Sequence, residues 1–107
     1  MISYDDFKKM DIRVGEIKSA ELHPNADKLL ILKVDVGDEI KQIVAGIKAA
    51  YEVSELVGKK VIVLNNLEPA LLRGEESRGM LLAASEEGGL PVLLSPEKNV
   101  LAGSRVK

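Results

Sequence analysis

The chain has 107 residues, 46% of them apolar and 30% charged, the balance of one folded domain with a single core rather than of a disordered tail. It has no cysteine, so disulfides and thiolate metal sites are excluded; its longest apolar runs, residues 61–64 and 80–84, fall far short of a membrane span, and no signal peptide is visible, which makes the cytoplasm the default address. A net charge of −2 argues against a generic polyanion binder, so any nucleic-acid role must rest on a local basic patch.

Ser3-Tyr4-Asp5-Asp6 reads as a capping box, with Ser3 as N-cap and Asp6 in place of the usual Glu. The short helix it starts carries Tyr4 and Phe7 three residues apart, on one face. From Asp11 the period becomes two: Ile12 and Val14 point one way, Asp11 and Arg13 the other. Gly15 permits a bulge or sharp bend, after which residues 17–22 resume as strand. A long first strand bent at glycine is what closing a small barrel demands. Residues 23–28 form a loop by their Pro, Asn and Asp. Residues 29–36 make the clearest strand, with Leu30, Leu32, Val34 and Val36 on one face and Leu29, Ile31, Lys33 and Asp35 on the other. Gly37-Asp38-Glu39 turns the chain into a third strand, residues 40–45. With Val36 opposite Ile40, Lys33 and Lys41 are expected on the same face.

Residues 46–58 lose the two-residue period and read as a turn plus a short helix, with Ser54 as N-cap and Gly58 as the stop. Residues 59–66 are a fourth strand, 67–77 a long loop broken by Pro69 and Gly74, and 78–85 a fifth strand. Glu86-Glu87-Gly88-Gly89 is a hairpin turn into residues 90–94, and the tail 95–107 is too apolar for a free linker. The expected fold is all-β. It is a five-stranded OB-fold barrel, with a short helix between strands 3 and 4, an N-terminal helix and a C-terminal extension, in one domain spanning residues 1–107. An SH3-like barrel lacks that helix. The apolar residues of the two flanking segments need a partner surface, which a second copy of the chain can supply.

Catalysis finds little support. His23 stands alone in a Pro-containing loop, the usual setting of a surface or turn histidine. No G-x-x-x-x-G-K loop is present, and the acid pairs Asp38-Glu39, Glu75-Glu76 and Glu86-Glu87 read as solvated charge. No metal or other cofactor is implied. Binding is better supplied, because OB barrels engage ligands across strands 2 and 3 and the loops joining strands 1–2 and 4–5. Asn25 and Lys28 fall in the first loop, Lys33 and Lys41 on the central hairpin, and Arg73, Ser77 and Arg78 around the second loop. Lys and Arg neutralise phosphates, while Asn and Ser hydrogen-bond backbone or base edges. With Tyr4, Phe7 and Tyr51 as the whole aromatic complement, base stacking is poorly supplied.

Four stretches carry a resemblance: Asp11-Ile-Arg-Val-Gly-Glu-Ile17, His23-Pro-Asn-Ala-Asp-Lys-Leu29, Gln42-Ile-Val-Ala-Gly-Ile47, and Asn66-Leu-Glu-Pro69 continuing to Leu72-Arg-Gly-Glu-Glu-Ser-Arg-Gly-Met80. Over essentially the whole chain they resemble the tRNA-binding domain found at the C-terminus of many methionyl-tRNA synthetases. Related copies occur in free dimeric tRNA-binding proteins and in the CsaA chaperone. The resemblance implies an OB-fold homodimer that binds tRNA near its elbow, largely independently of sequence, and strengthens a synthetase's hold on its substrate. The positions that match are Asn25, Lys28, Lys33, Arg73, Ser77 and Met80, with Lys41 where many relatives have arginine. Glu68, Ala70 and Leu71 stand where relatives often carry basic residues, so weak, salt-sensitive binding is expected. Two other roles fit the same resemblance: a peptide-binding chaperone like CsaA, and a scaffold that dimerises synthetases without touching RNA.

Overall fold

A computed structural model describes residues 1–107 throughout. Helix α1, Tyr4–Lys8, begins where Ser3 Oγ accepts the Asp6 N–H at 3.1 Å. Its Tyr4 and Phe7 rings stack at 6.5 Å, and no residue of the helix is buried.

Strand β1, Ile12–Leu22, organises the fold by changing partners along its length. Its first half pairs antiparallel with β4, Lys60–Leu64, and its second half with β2, Leu30–Asp35. Gly15 lies at the crossover. A Cβ there would stand 2.7 Å from Val34 Cγ1 and 3.0 Å from Val63 Cγ2, so glycine is required by close packing. The irregularity expected at Gly15 falls instead between Ile17 and Ser19, as a bulge at Lys18.

Strands β2 and β3, Ile40–Ala45, form the central hairpin, with Asp35 opposite Ile40 and Val34 opposite Lys41. This register is one residue tighter than the Val36–Ile40 pairing expected above. Because strand side chains alternate, that single step moves Lys41 to the face opposite Lys33. The shared lysine face is therefore corrected: Lys33 is exposed on the outer side, and Lys41 is buried with Ile43.

Helix α2, Val53–Leu56, follows and sends Leu56 fully into the core. Its N-cap is Glu52, whose N–H donates to Glu55 Oε1 at 3.2 Å; Ser54 lies inside the helix and does not cap it. Beyond β4, the segment expected to be a long loop is a hairpin. It comprises β5, Ala70–Leu72, and β6, Glu75–Ser77, joined by Arg73-Gly74 with φ of +51° and +90°. Positive φ at both central residues is the two-residue turn that matches strand twist. Strand β7, Met80–Leu81, pairs with β4, and β8, Ala83–Ala84, pairs with β9, Val92–Leu93.

The main sheet runs β3-β2-β1-β4-β7, and the stretch from the end of β6 towards β7 comes back against its edge strand β3. There the Arg78 N–H donates to Gln42 O at 2.9 Å, and the Val44 N–H to Ser77 Oγ at 3.0 Å. The result is a five-stranded antiparallel half-barrel of the OB type around an aliphatic core led by Ile17, Leu30, Leu32, Ile43 and Leu56. The C-terminal segment takes the edge of β1 that β2 leaves free. Gly103 N donates to Val14 O, Val14 N to Ser104 O and Val106 N to Ile12 O, at 2.7–2.8 Å. Gly37 and Gly103 meet backbone to backbone, leaving no room for a Cβ on either.

Candidate nucleic-acid interface

Two elements are brought together by one imidazole. His23, at the end of β1, is buried rather than a surface residue. Its Nδ1 accepts the Asn25 N–H at 2.9 Å, so the ring proton lies on Nε2, which donates to Leu72 O, also at 2.9 Å. The loop of residues 23–28 is thereby fastened to the β5–β6 hairpin. Lys28 and Arg73 consequently line one depression of about 430 Å³, with Ala26, Asp27 and Leu29.

Arg73 occupies the left-handed region at the first central position of its turn. A side chain there costs about 1 kcal/mol relative to glycine. Strain of this kind tends to accumulate where function demands a particular side chain. Lys33 is tied to the same hairpin indirectly. Its Nζ donates to Gln42 Oε1 at 2.7 Å, and Gln42 Nε2 donates to Glu76 O at 3.0 Å and Glu75 Oε1 at 3.2 Å.

Charge pairing separates these cations from the arginines and lysines that carry a carboxylate partner. Arg13, Lys18, Arg78 and Arg105 each hold a carboxylate within 3.3 Å. Lys28, Lys33 and Arg73 are in no ion pair. Two unpaired cations, Lys28 and Arg73, thus share a depression with one carboxylate, Asp27, while Lys33 reaches the hairpin only through Gln42. Asn25, three residues before Lys28, is exposed.

The other four candidate residues lie elsewhere. Arg78 is half-exposed and paired with Glu39 at 3.1 Å. Met80 lines an apolar groove of about 350 Å³ with Val44, Ile47, Leu67 and Leu72. Ser77 is buried: its hydroxyl donates to Gly79 O and accepts the Val44 N–H, both at 3.0 Å. Lys41 is buried as well, with Nζ donating to Asn65 Oδ1 at 2.9 Å and Asn65 O at 3.1 Å, and burial pushes its ammonium pKa down.

Lys41 belongs to a polar cluster that seals one end of the barrel. Asn65 Nδ2 donates to Asp11 Oδ2 at 3.0 Å, and Arg13 forks onto both Asp11 oxygens at 2.9–3.1 Å. Arg13 also donates to Val36 O and Asp38. The hydrogen bonds from Arg13 hold the Asp11 carboxyl below its usual range, against the opposing pull of burial, and raise the Arg13 guanidinium in turn. Sequence reasoning placed Asp11 and Arg13 on one face without pairing them. Their two-residue spacing on a strand was the available signal.

No three His, Asp or Glu side chains are grouped to hold a metal ion, and no helix is long and apolar enough to cross a membrane. Fold and site together define an OB-type β half-barrel whose first loop and β5–β6 hairpin bring Lys28 and Arg73 into one depression. Residues 12–105 match the family model described as "Putative tRNA binding domain". The chain is 51% identical over 106 residues to the methionine–tRNA ligase of Thermococcus kodakarensis, covering 99% of this chain and 14% of that protein. The crystal structure of a MetRS related protein from Pyrococcus horikoshii matches with a TM-score of 0.93 at 39% identity, over 100% of this chain and 98% of that one. The chaperone CsaA from Bacillus anthracis matches with a TM-score of 0.91 at 29% identity, over 100% and 99% of the two chains. The chain belongs to the tRNA-binding domain family.

Proposed function

We propose that these 107 residues act as one non-catalytic domain that holds tRNA, largely independently of sequence, through the Lys28–Arg73 face. Lys28, Lys33 and Arg73 neutralise backbone phosphates, and Asn25 hydrogen-bonds beside them. The observation that carries this reading is the convergence of Lys28 and Arg73, both without carboxylate partners, on one depression of an otherwise acidic protein. The domain serves methionyl-tRNA synthetase in the cytoplasm, as an appendix or a separate subunit, and raises its affinity for tRNA. Likeness to methionine–tRNA ligases over nearly the whole chain supports that assignment.

A second copy completes the module. Helix α1 buries none of its residues, and Ile2, Tyr4, Leu90, Val92 and Leu94 are exposed on the flanking segments. A homodimer covers such surfaces and doubles a modest contact. The test is tRNA binding by fluorescence anisotropy across a salt series, with unstructured RNA as competitor. Preference for tRNA and a steep loss with salt are expected; no binding at low salt overturns the reading.

The apolar groove beside Met80 favours a second reading, a peptide-binding chaperone like CsaA. Lys28→Gln with Arg73→Asn separates the two. RNA binding falls under the first reading, whereas capture of unfolded peptide is unaffected under the second.

A further inference from the structure

Unpaired positive charge gathers at a second place, where the start of β4 meets the segment after β9. A pocket of about 340 Å³ is lined there by Lys59, Lys60 and Lys98, with Ser95 and Asn99 beside them and Tyr51 in the wall. It shares no residue with the Lys28–Arg73 depression. None of the three lysines is in an ion pair. Glu97 is the one carboxylate on the lining, so three cations against one anion leave an excess of two positive charges.

The pocket is held together by neutral partners. Lys60 Nζ donates to Asn99 Oδ1 at 3.0 Å and Val100 O at 2.6 Å, which fastens the C-terminal segment to β4. Tyr51 Oη accepts the Leu93 N–H at 3.0 Å and holds β9 in place. Lys59 Nζ stands 6.0 Å from the Tyr51 ring centroid, at the outer range of cation–π attraction. These contacts position the Lys59 and Lys60 ammonium groups without neutralising them. Clustered ammoniums beside a hydroxyl and a carboxamide suit a multiply charged oxyanion, and lysine binds phosphate as a point charge.

We infer that this pocket is a phosphate-binding site, separate from the Lys28–Arg73 face. The phosphate comes either from an RNA backbone or from a free polyphosphate. The RNA source rests on the proposed function; the pocket itself does not.

The experiment titrates tripolyphosphate into the full chain and follows backbone amides by NMR. Saturable shifts are expected at the amides of Lys59, Lys60, Ser95, Glu97, Lys98 and Asn99. They are lost in Lys59→Gln/Lys98→Gln and kept in Lys28→Gln/Arg73→Asn. Lys60 is left intact because its bonds hold the segment, and unchanged amides elsewhere show that the variant is folded. In the tRNA salt series, a log–log slope reduced by about one to two in Lys59→Gln/Lys98→Gln assigns the phosphate to RNA. An unchanged slope with saturable tripolyphosphate shifts assigns it to a free polyphosphate. Absent, non-saturating or variant-insensitive shifts overturn the site, whatever the slope. Tripolyphosphate binding with no tRNA binding by any form of the chain removes the proposed function and leaves the pocket standing.

Discussion

His23 Nε2 donates to the carbonyl oxygen of Leu72 across 49 positions of sequence, and this bond makes one surface of two distant elements. The imidazole carries no charge to the interface; it positions Asn25 and Lys28 on one side and Arg73 on the other. Replacing it by alanine leaves the Leu72 carbonyl and the Asn25 N–H unpaired, at a cost of about 1–3 kcal/mol. His23→Ala is therefore expected to lower the thermal midpoint and weaken tRNA binding, although no phosphate-contacting group is removed. Unchanged affinity in the folded variant shows that loop and hairpin are positioned without it.

Lys33 and Lys41 are eight residues apart and have opposite fates. Lys33 lies in solvent on the outer face, and Lys41 ends on Asn65 inside the barrel mouth. Lys41→Ala is expected to cost about 1–3 kcal/mol, because it deprives buried acceptors of their donor. The salt dependence of tRNA binding is expected to stay the same. Lys33→Gln reverses the pattern: stability within about 0.5 kcal/mol of the parent, and a salt slope lower by nearly one. Denaturant titration beside the binding series checks both, and a change of slope in Lys41→Ala contradicts its interior role.

Arg73 tests whether strain is exchanged for a contact. Asparagine tolerates the left-handed conformation better than arginine does, so Arg73→Asn keeps the turn and removes the charge. Stability is expected to rise by a few tenths to about 1 kcal/mol. Affinity for tRNA is expected to fall. A variant that is both more stable and equally good at binding RNA excludes Arg73 from the interface.

The Asp11 cluster predicts a pH dependence. The carboxyl titrates below its ordinary value of 3.8, because hydrogen bonds from Arg13 favour the charged form. Folding therefore weakens proton binding at this site. The stabilisation is fully present above the ordinary value and is lost as the pH falls through the lower, folded one. Asp11→Asn is expected to be less stable than the parent at pH 7, with the gap closing on acidification below 3.8. A gap that stays constant from pH 7 to pH 2 would falsify the ion-pair account.

Alternation made β1 to β4 legible in the sequence, and the motif strings made the family legible. What escaped was set by single-residue registers and by contacts distant in sequence. The β2–β3 turn spends one residue fewer than expected, and that alone sent Lys41 inward. The β5–β6 hairpin was hidden because Arg-Gly is not a customary two-residue turn and its strands are three residues each. His23 reads in sequence only as a surface or turn residue, because nothing local shows that Leu72 presents a carbonyl to it. Of the candidate contacts, Asn25, Lys28, Lys33 and Arg73 lie exposed on the loop and strand face, while Ser77 and Lys41 fill interior bonds.

The pairing of the C-terminal segment with β1 makes that segment a structural clasp and no mere tail. Three hydrogen bonds, from Gly103 and Val106 to β1 and from β1 to Ser104, cover an edge of β1 that would otherwise present bare backbone groups. Exposed strand edges of this kind are templates for pairing with other chains, so the clasp guards the barrel against edge-to-edge association.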